Sequence, residues 1–259
     1  MKVIKEKRYI AALNREAVLY IALPDNYQES DQYYPVLYMH DGQNVFYEED
    51  AFIGKTWGVQ EAYQKDTKLP KMIIVALSSA SGELRLHEYG PYPFDQEALD
   101  EFELDSIGGG GNNYVDYLVN ELKPEIDQTY RTLKEPEYTA MMGASMGGVI
   151  SLYAGLKYSH VFGLIASLSG SYFVSKAAFI EEIKRADLSS IKKIYIDTGD
   201  AEVAGGDEED YVMSNLDIFE ALKEKLPNQQ LEFQVISDGK HTEVDWAKRF
   251  PNIIKTLFL

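Results

Sequence analysis

The chain contains no cysteine in its 259 residues, which excludes disulfides, a thiol nucleophile and cysteine-ligated metal sites. Histidine is scarce, with four residues, so any imidazole chemistry has few places to sit. Positive charge is in deficit: 25 Lys and Arg stand against 42 Asp and Glu, a formal net charge of −17. A surface of that sign disfavours nucleic acid and anionic membrane as partners, because both need basic patches, and it makes strongly anionic ligands less favourable. No apolar run approaches the roughly 20 residues needed to span a bilayer. The N-terminus, Met1 to Arg8, is charged and has no apolar core followed by a small-residue cleavage site, so the expected location is cytoplasmic. The glycine run Gly108 to Gly111 is not followed by Gly-Lys-Ser/Thr, which argues against a phosphate loop.

What is present alternates. Short apolar runs at 17–23, 34–40, 72–77, 138–142, 162–168, 194–197 and 231–236 read as strands. Segments with helical spacing at 113–128, 149–156, 211–225 and 243–257 fall between or after them. This order predicts an α/β fold with a mostly parallel central sheet and helices on both faces. The length suits a single domain over 1–259. Residues 80–111, rich in Gly, Pro and aromatics, break the rhythm and read as a long functional loop ending in a hinge or helix N-terminus beside the site. The acidic run Asp207-Glu208-Glu209-Asp210 reads as a solvated loop or helix start.

Within this pattern Gly143-Ala144-Ser145-Met146-Gly147-Gly148 joins a strand to a helix. Gly-x-Ser-x-Gly at such a corner is a nucleophile elbow, which thrusts the serine hydroxyl out of the sheet. A serine hydroxyl needs a general base, and histidine suits that task near neutral pH. His241 follows the last strand and precedes the last helix, whereas His160 lies too near the elbow and His40 and His87 precede it. The acid that would orient the base falls in Thr198-Gly199-Asp200-Ala201-Glu202, where Asp200 and Glu202 both fit; Asp197 reads as still within the strand. Oxyanion donors are expected from the backbone of Met146 and from the loop after strand 34–40, at Asp41, Gly42 or Gln43, with His40 flanking it.

Seven stretches then carry a family resemblance: His40 to Phe46, Thr56 to Val59, Arg85-x-x-Glu88-Tyr89, Leu122 to Asp127, Gly143 to Gly148, Thr198 to Glu202, and His241-Thr242-Glu243-x-x-Trp246. In this order they resemble the esterase D-like family of α/β-hydrolases, which includes feruloyl and acetyl-xylan esterases, S-formylglutathione hydrolases, siderophore trilactone esterases and mycolyl transferases. The resemblance implies an α/β-hydrolase fold and favours Glu202 over Asp200, since the acid in such proteins closes a Gly-x-x-Asp/Glu stretch.

The combined expectation is a serine carboxylic-ester hydrolase acting through an acyl-enzyme, with no cofactor or metal. The expected partner is a small-molecule or oligosaccharide ester, with acylated carbohydrate or phenolic esters first. Aromatics in loops near the strand ends, Trp57, Tyr89, Tyr172 and Trp246, are expected to line a binding groove. Rival readings keep the same residues for acyl transfer to an alcohol or for a siderophore trilactone, or keep the fold as a catalytically silent carbohydrate-binding protein. The oligomeric state is left open.

Overall fold

Strand β5, Thr139–Ala144, is buried along its whole length, and its side chains divide between two cores. Met141 packs with Tyr38, Val75, Ile165 and Ile194 on one face. Ala140, Met142 and Ala144 pack with Met39, Ala76, Ala166 and Tyr195 on the other. The two-residue period of a strand makes this division unavoidable, and it explains why the central runs are apolar without alternation.

The computed structural model describes residues 1–202 and 208–259, with the side chains of Glu208 and Glu209 outside the description. In chain order the elements are β1 (Lys2–Ile10), β2 (Arg15–Leu23), β3 (Val36–Met39), α1 (Val59–Lys65), β4 (Ile73–Leu77), α2 (Gly82–Tyr89), α3 (Gln96–Glu101), α4 (Gly111–Tyr117) and α5 (Lys123–Thr129). There follow β5, α6 (Met146–Lys157), β6 (Leu164–Leu168), α7 (Lys176–Arg185), β7 (Lys193–Gly199), α8 (Glu208–Lys223), β8 (Leu231–Ile236) and α9 (Glu243–Phe258). One eight-stranded sheet has the order β1-β2-β4-β3-β5-β6-β7-β8. β1 and β2 run antiparallel to their neighbours, and the pairings from β4 through β8 are parallel.

Helices cover both faces. Val115, Leu118, Val149, Ile150, Phe179 and Ile218, from α4 through α8, seal the first core, while Val59 of α1 and Phe250, Ile253 and Ile254 of α9 seal the second. Parallel strands place their C-terminal ends together, so the loops leaving β3, β5, β6, β7 and β8 converge at one edge. All the serine, histidine and carboxylate candidates of the sequence lie in those loops.

Two expectations change. β1 is an edge strand whose exposed residues, Tyr9 apart, are charged, and its mixed burial hides it from an apolar-run reading. Residues 80–111 are not one loop: α2 and α3 lie within them, and Pro93 bridges Gly108. The glycine run opens α4 at Gly111 and packs back on α2 through Gly110 N–H to the His87 carbonyl, and Arg85 of α2 reaches Asp41 in the loop after β3. Of the acidic run, Asp207 lies outside the described residues and α8 begins at Glu208.

Candidate active site

Ser145 sits between β5 and α6 with φ 60° and ψ −131°, backbone space that residues with a Cβ avoid. Its N–H is held by the Leu168 carbonyl at 2.9 Å, which ties the corner to β6. The corner is tight enough that a Cβ on Gly143 would lie 2.6 Å from the Gly147 carbonyl oxygen, so only glycine fits. The first amides of α6, Met146 among them, have no carbonyl four residues back to bind, as at any helix N-terminus. Ser145 is partly exposed, and its Oγ lies 3.3 Å from Ser171 Oγ, which in turn lies 3.3 Å from the Tyr211 hydroxyl. Among the described residues no hydrogen bond joins Ser145 to His241, a separation common before substrate binds.

His241 and Glu202 do meet. Nδ1 of the imidazole lies 2.9 Å from Glu202 Oε2, and the glutamate is wholly buried. The other carboxylate oxygen, Oε1, accepts from Ser169 Oγ and from the Gly199 N–H, each at 2.5 Å. An ionised carboxylate only accepts, so the nitrogen that faces it, Nδ1, is the one suited to carry a proton, and in the neutral imidazole the lone pair then falls on Nε2. The ring is also held between Tyr211 and Trp246, each with its centroid 5.0 Å away. Asp200, the alternative acid, is exposed and caps a turn by accepting the Asp238 N–H at 2.7 Å. Glu202 is therefore the carboxylate that sits beside His241, while Asp200 holds a turn on the surface.

The loop after β3 approaches from the opposite side. Asp41 has φ 51°, and its N–H donates to the Tyr89 hydroxyl at 3.1 Å, so that amide is already engaged. Its carboxylate receives Arg85 of α2 in a two-pronged contact, Nε to Oδ1 at 2.7 Å and Nη2 to Oδ2 at 2.8 Å. Burial works against the Asp41 charge, but the guanidinium outweighs it and holds the carboxyl below its usual range. Asp41 thus anchors the loop through both its amide and its carboxylate. A Cβ on Gly42 would lie 2.7 Å from the Ala76 carbonyl group, so the chain lies directly on β4 there. The Gln43 side chain locks the loop further, donating to Ser79 Oγ and accepting the Ser79 N–H. His40 is buried, with Nδ1 2.9 Å from the Tyr114 hydroxyl, and burial lowers its pKa to about 3.

The four aromatics expected to line a groove are covered by the rest of the chain. Tyr89 and Tyr172 are fully buried, and Trp57 and Trp246 are 3% and 6% exposed. Tyr89 holds the Asp41 amide, and the Tyr172 hydroxyl meets Ser167 Oγ at 2.7 Å. Trp57 stacks on Trp246, whose Nε1 donates to Ser169 Oγ at 2.9 Å. Large rings contribute most to stability when covered, and proximity in sequence to strand ends does not reveal which side they face.

Sequence reasoning missed Ser169, Ser171, Tyr211, Asn44 and Arg249. The small polar run Ser167-Leu168-Ser169-Gly170-Ser171 at the end of β6 was the available signal. Asn44 donates to Glu243 Oε1 at 2.9 Å and accepts the Phe52 N–H, clasping the β3 loop to the start of α9. Behind Glu202, Asp197 is fully buried, 3.2 Å from Arg249 Nε and accepting the Tyr195 hydroxyl. Burial raises the Asp197 pKa to about 6 against the pull of Arg249. No group of three or more His, Cys, Asp or Glu that could hold a metal occurs among the described residues. No helix among them is long and apolar enough to cross a membrane.

A mixed eight-stranded sheet, with helices on both faces and a serine at the strained corner after β5, defines an α/β-hydrolase. The chain belongs to the family described as "Putative esterase", whose model matches residues 10–257. As a member it is a carboxylic-ester hydrolase.

Among its relatives is the uncharacterized protein YbbA of Bacillus subtilis, 29% identical over 255 residues, covering 95% of this chain and 93% of YbbA. An endo-1,4-beta-xylanase/feruloyl esterase of Xylanibacter ruminicola is 27% identical over 169 residues, 65% of this chain and 20% of that protein. Similar solved folds include a ferulic acid esterase, with TM-score 0.71, 18% identity and 98% of each chain covered. The enterobactin esterase FES of Shigella flexneri gives TM-score 0.75 at 16% identity, over 100% of this chain and 58% of the other.

Proposed function

We propose that the protein hydrolyses esters through an acyl-enzyme formed on Ser145. The observation that carries this reading is the buried Glu202 carboxylate 2.9 Å from the partly exposed His241, at the same sheet edge as a serine with φ 60°. In acylation Ser145 Oγ attacks the ester carbonyl while Nε2 of His241 takes its proton. The charge that develops on the carbonyl oxygen is held by the Met146 N–H and by the Gly42 or Gln43 N–H. Glu202 keeps the imidazole in the Nδ1–H tautomer and stabilises the imidazolium. The imidazolium then protonates the leaving alkoxide, and the imidazole activates water to release the acid. No step calls for a metal or cofactor. We place this chemistry in the cytoplasm, in a single domain.

For the substrate we propose an ester with a phenolic acyl group. Half-buried Phe173 packs edge-on against Tyr211 at 5.1 Å, and Tyr211 packs on His241. This row gives a flat ring something to stack on beside the base. Ferulic acid and the dihydroxybenzoyl compounds that accompany the FES structures are both phenolic. A siderophore lactone is the second reading, favoured by 32% identity over 68 residues to an iron(III) enterobactin esterase of Dickeya dadantii. An acetylated oligosaccharide ranks lower now that the expected stacking tryptophans are covered.

A panel of methyl ferulate, acetylated xylan, S-formylglutathione and a catecholate trilactone, assayed with and without an added alcohol acceptor, tests the assignment. The expected result is fastest hydrolysis of methyl ferulate with no acceptor ester formed. Preference for acetylated xylan, or transfer to the alcohol outrunning hydrolysis, would overturn it.

A further inference from the structure

We infer that Ser169 is a positioning residue for the reaction, the group that fixes which way the Glu202 carboxylate points. The inference rests on the reading of Ser145, His241 and Glu202 given above. Ser169 Oγ has three neighbours: Glu202 Oε1 at 2.5 Å, Trp246 Nε1 at 2.9 Å and Arg249 Nη2 at 3.3 Å. An indole N–H and a guanidinium N–H can only donate. Both lone pairs of the hydroxyl are therefore occupied, and its single proton has one destination, the carboxylate. Hydroxyl direction is usually free; here it is dictated by chemistry.

The residue is held in place for this task. Ser169 follows β6 with φ 47°, and its N–H donates to the Asp197 carbonyl at 2.7 Å. Trp246 and Arg249 lie three positions apart on α9, which puts them on one helix face. His241 lies two residues before the same helix. Trp246 packs against the His241 ring and donates to Ser169 Oγ, so one helix face touches both the imidazole and the hydroxyl that holds the carboxylate.

A glutamate has one more rotatable bond than an aspartate and loses more side-chain freedom when fixed. Two donors on Oε1, Ser169 Oγ and the Gly199 N–H, remove that freedom and leave Oε2 for His241. The hydroxyl at position 169 is what suits the longer acid to this site.

The test is a double-mutant cycle on the full-length enzyme with p-nitrophenyl acetate. Ser169→Ala is expected to lower kcat roughly 10- to 100-fold, the range for a hydrogen bond to a charged group, with KM nearly unchanged. In a Glu202→Ala background the same substitution is expected to cost less than about twofold, because its route to the base is gone. A merely structural role would cost the same in both backgrounds, and that result overturns the inference. Ser169→Gly removes the hydroxyl while relieving the positive φ, so it must lose kcat like the alanine variant; wild-type kcat in Ser169→Gly also overturns it. Ser145→Ala separates the two claims. If it retains activity, the acyl-enzyme reading fails; if it is inactive while Ser169→Ala matches wild type, only the role of Ser169 fails.

Discussion

Exchanging Glu202 for glutamine turns the assignment of the acid into a measurable number. The carboxylate is wholly buried, with Ser169 Oγ and the Gly199 N–H on Oε1 and His241 Nδ1 on Oε2. A glutamine would keep its carbonyl oxygen toward the first two donors, so its NH2 must face His241. Two donors cannot share that contact, and the imidazole must move its proton to Nε2. The lone pair that takes the Ser145 proton is then lost. A wrong tautomer costs about four decades in kcat, roughly 5.5 kcal/mol of barrier. Because the Oε1 contacts persist, the melting temperature should change by only a few degrees. Asp200→Asn removes a charge from an exposed turn and should leave kcat within about twofold. The assay is kcat on p-nitrophenyl acetate at neutral pH, with calorimetry to show that each variant is folded. Near-normal kcat in Glu202→Gln, or a hundredfold loss in Asp200→Asn, would mean that Glu202 is not the acid that orients His241.

Three further outcomes follow from the same contacts. Gly143→Ala would put a Cβ 2.6 Å from the Gly147 carbonyl oxygen, and it should cost at least about 1–3 kcal/mol of stability, read as a lower melting temperature, together with loss of ester hydrolysis. Tyr89→Phe leaves the Asp41 N–H without its acceptor and should cost about 1–3 kcal/mol in denaturant melts with KM unchanged; a raised KM with unaltered stability would return Tyr89 to the substrate groove. The His40 pKa is lowered by burial to about 3, so the stability it carries is complete above about pH 6.5 and drains away as pH falls toward 3. Asp197, raised to about 6, acts with the opposite sign, adding stability as pH falls from above 6 toward 4. His40→Gln should therefore shift the slope of stability against pH between 4 and 6 by up to about 1.4 kcal/mol per unit, leaving the rise due to Asp197 exposed.

Much of this architecture can be read from residue order. The central strands are buried on both faces and so appear as plain apolar runs, and the glycines around Ser145 mark a corner that tolerates no Cβ. His241 is legible because chain order leaves only one histidine beyond the last strand. β1 was illegible because an edge strand buries only part of one face. The short helices α2 and α3 were hidden by the aromatics and glycines that flank them. Tyr89, Tyr172, Trp57 and Trp246 misled because the same rings serve equally well under a site as in it, and only packing distinguishes the two. The Gly-x-x-Asp/Glu spacing of the resembled family favours Glu202, but the reach of its side chain across the end of β7 to His241 shows only in the packed structure.

Intact-protein mass spectrometry after exposure to a fluorophosphonate ester reads whether Ser145 is the nucleophile that forms the covalent acyl-enzyme. A single adduct is expected, mapped to Ser145 by peptide analysis, with adduct and ester hydrolysis both absent from Ser145→Ala. An adduct on another residue, or an unlabelled wild type that still hydrolyses esters, would contradict it.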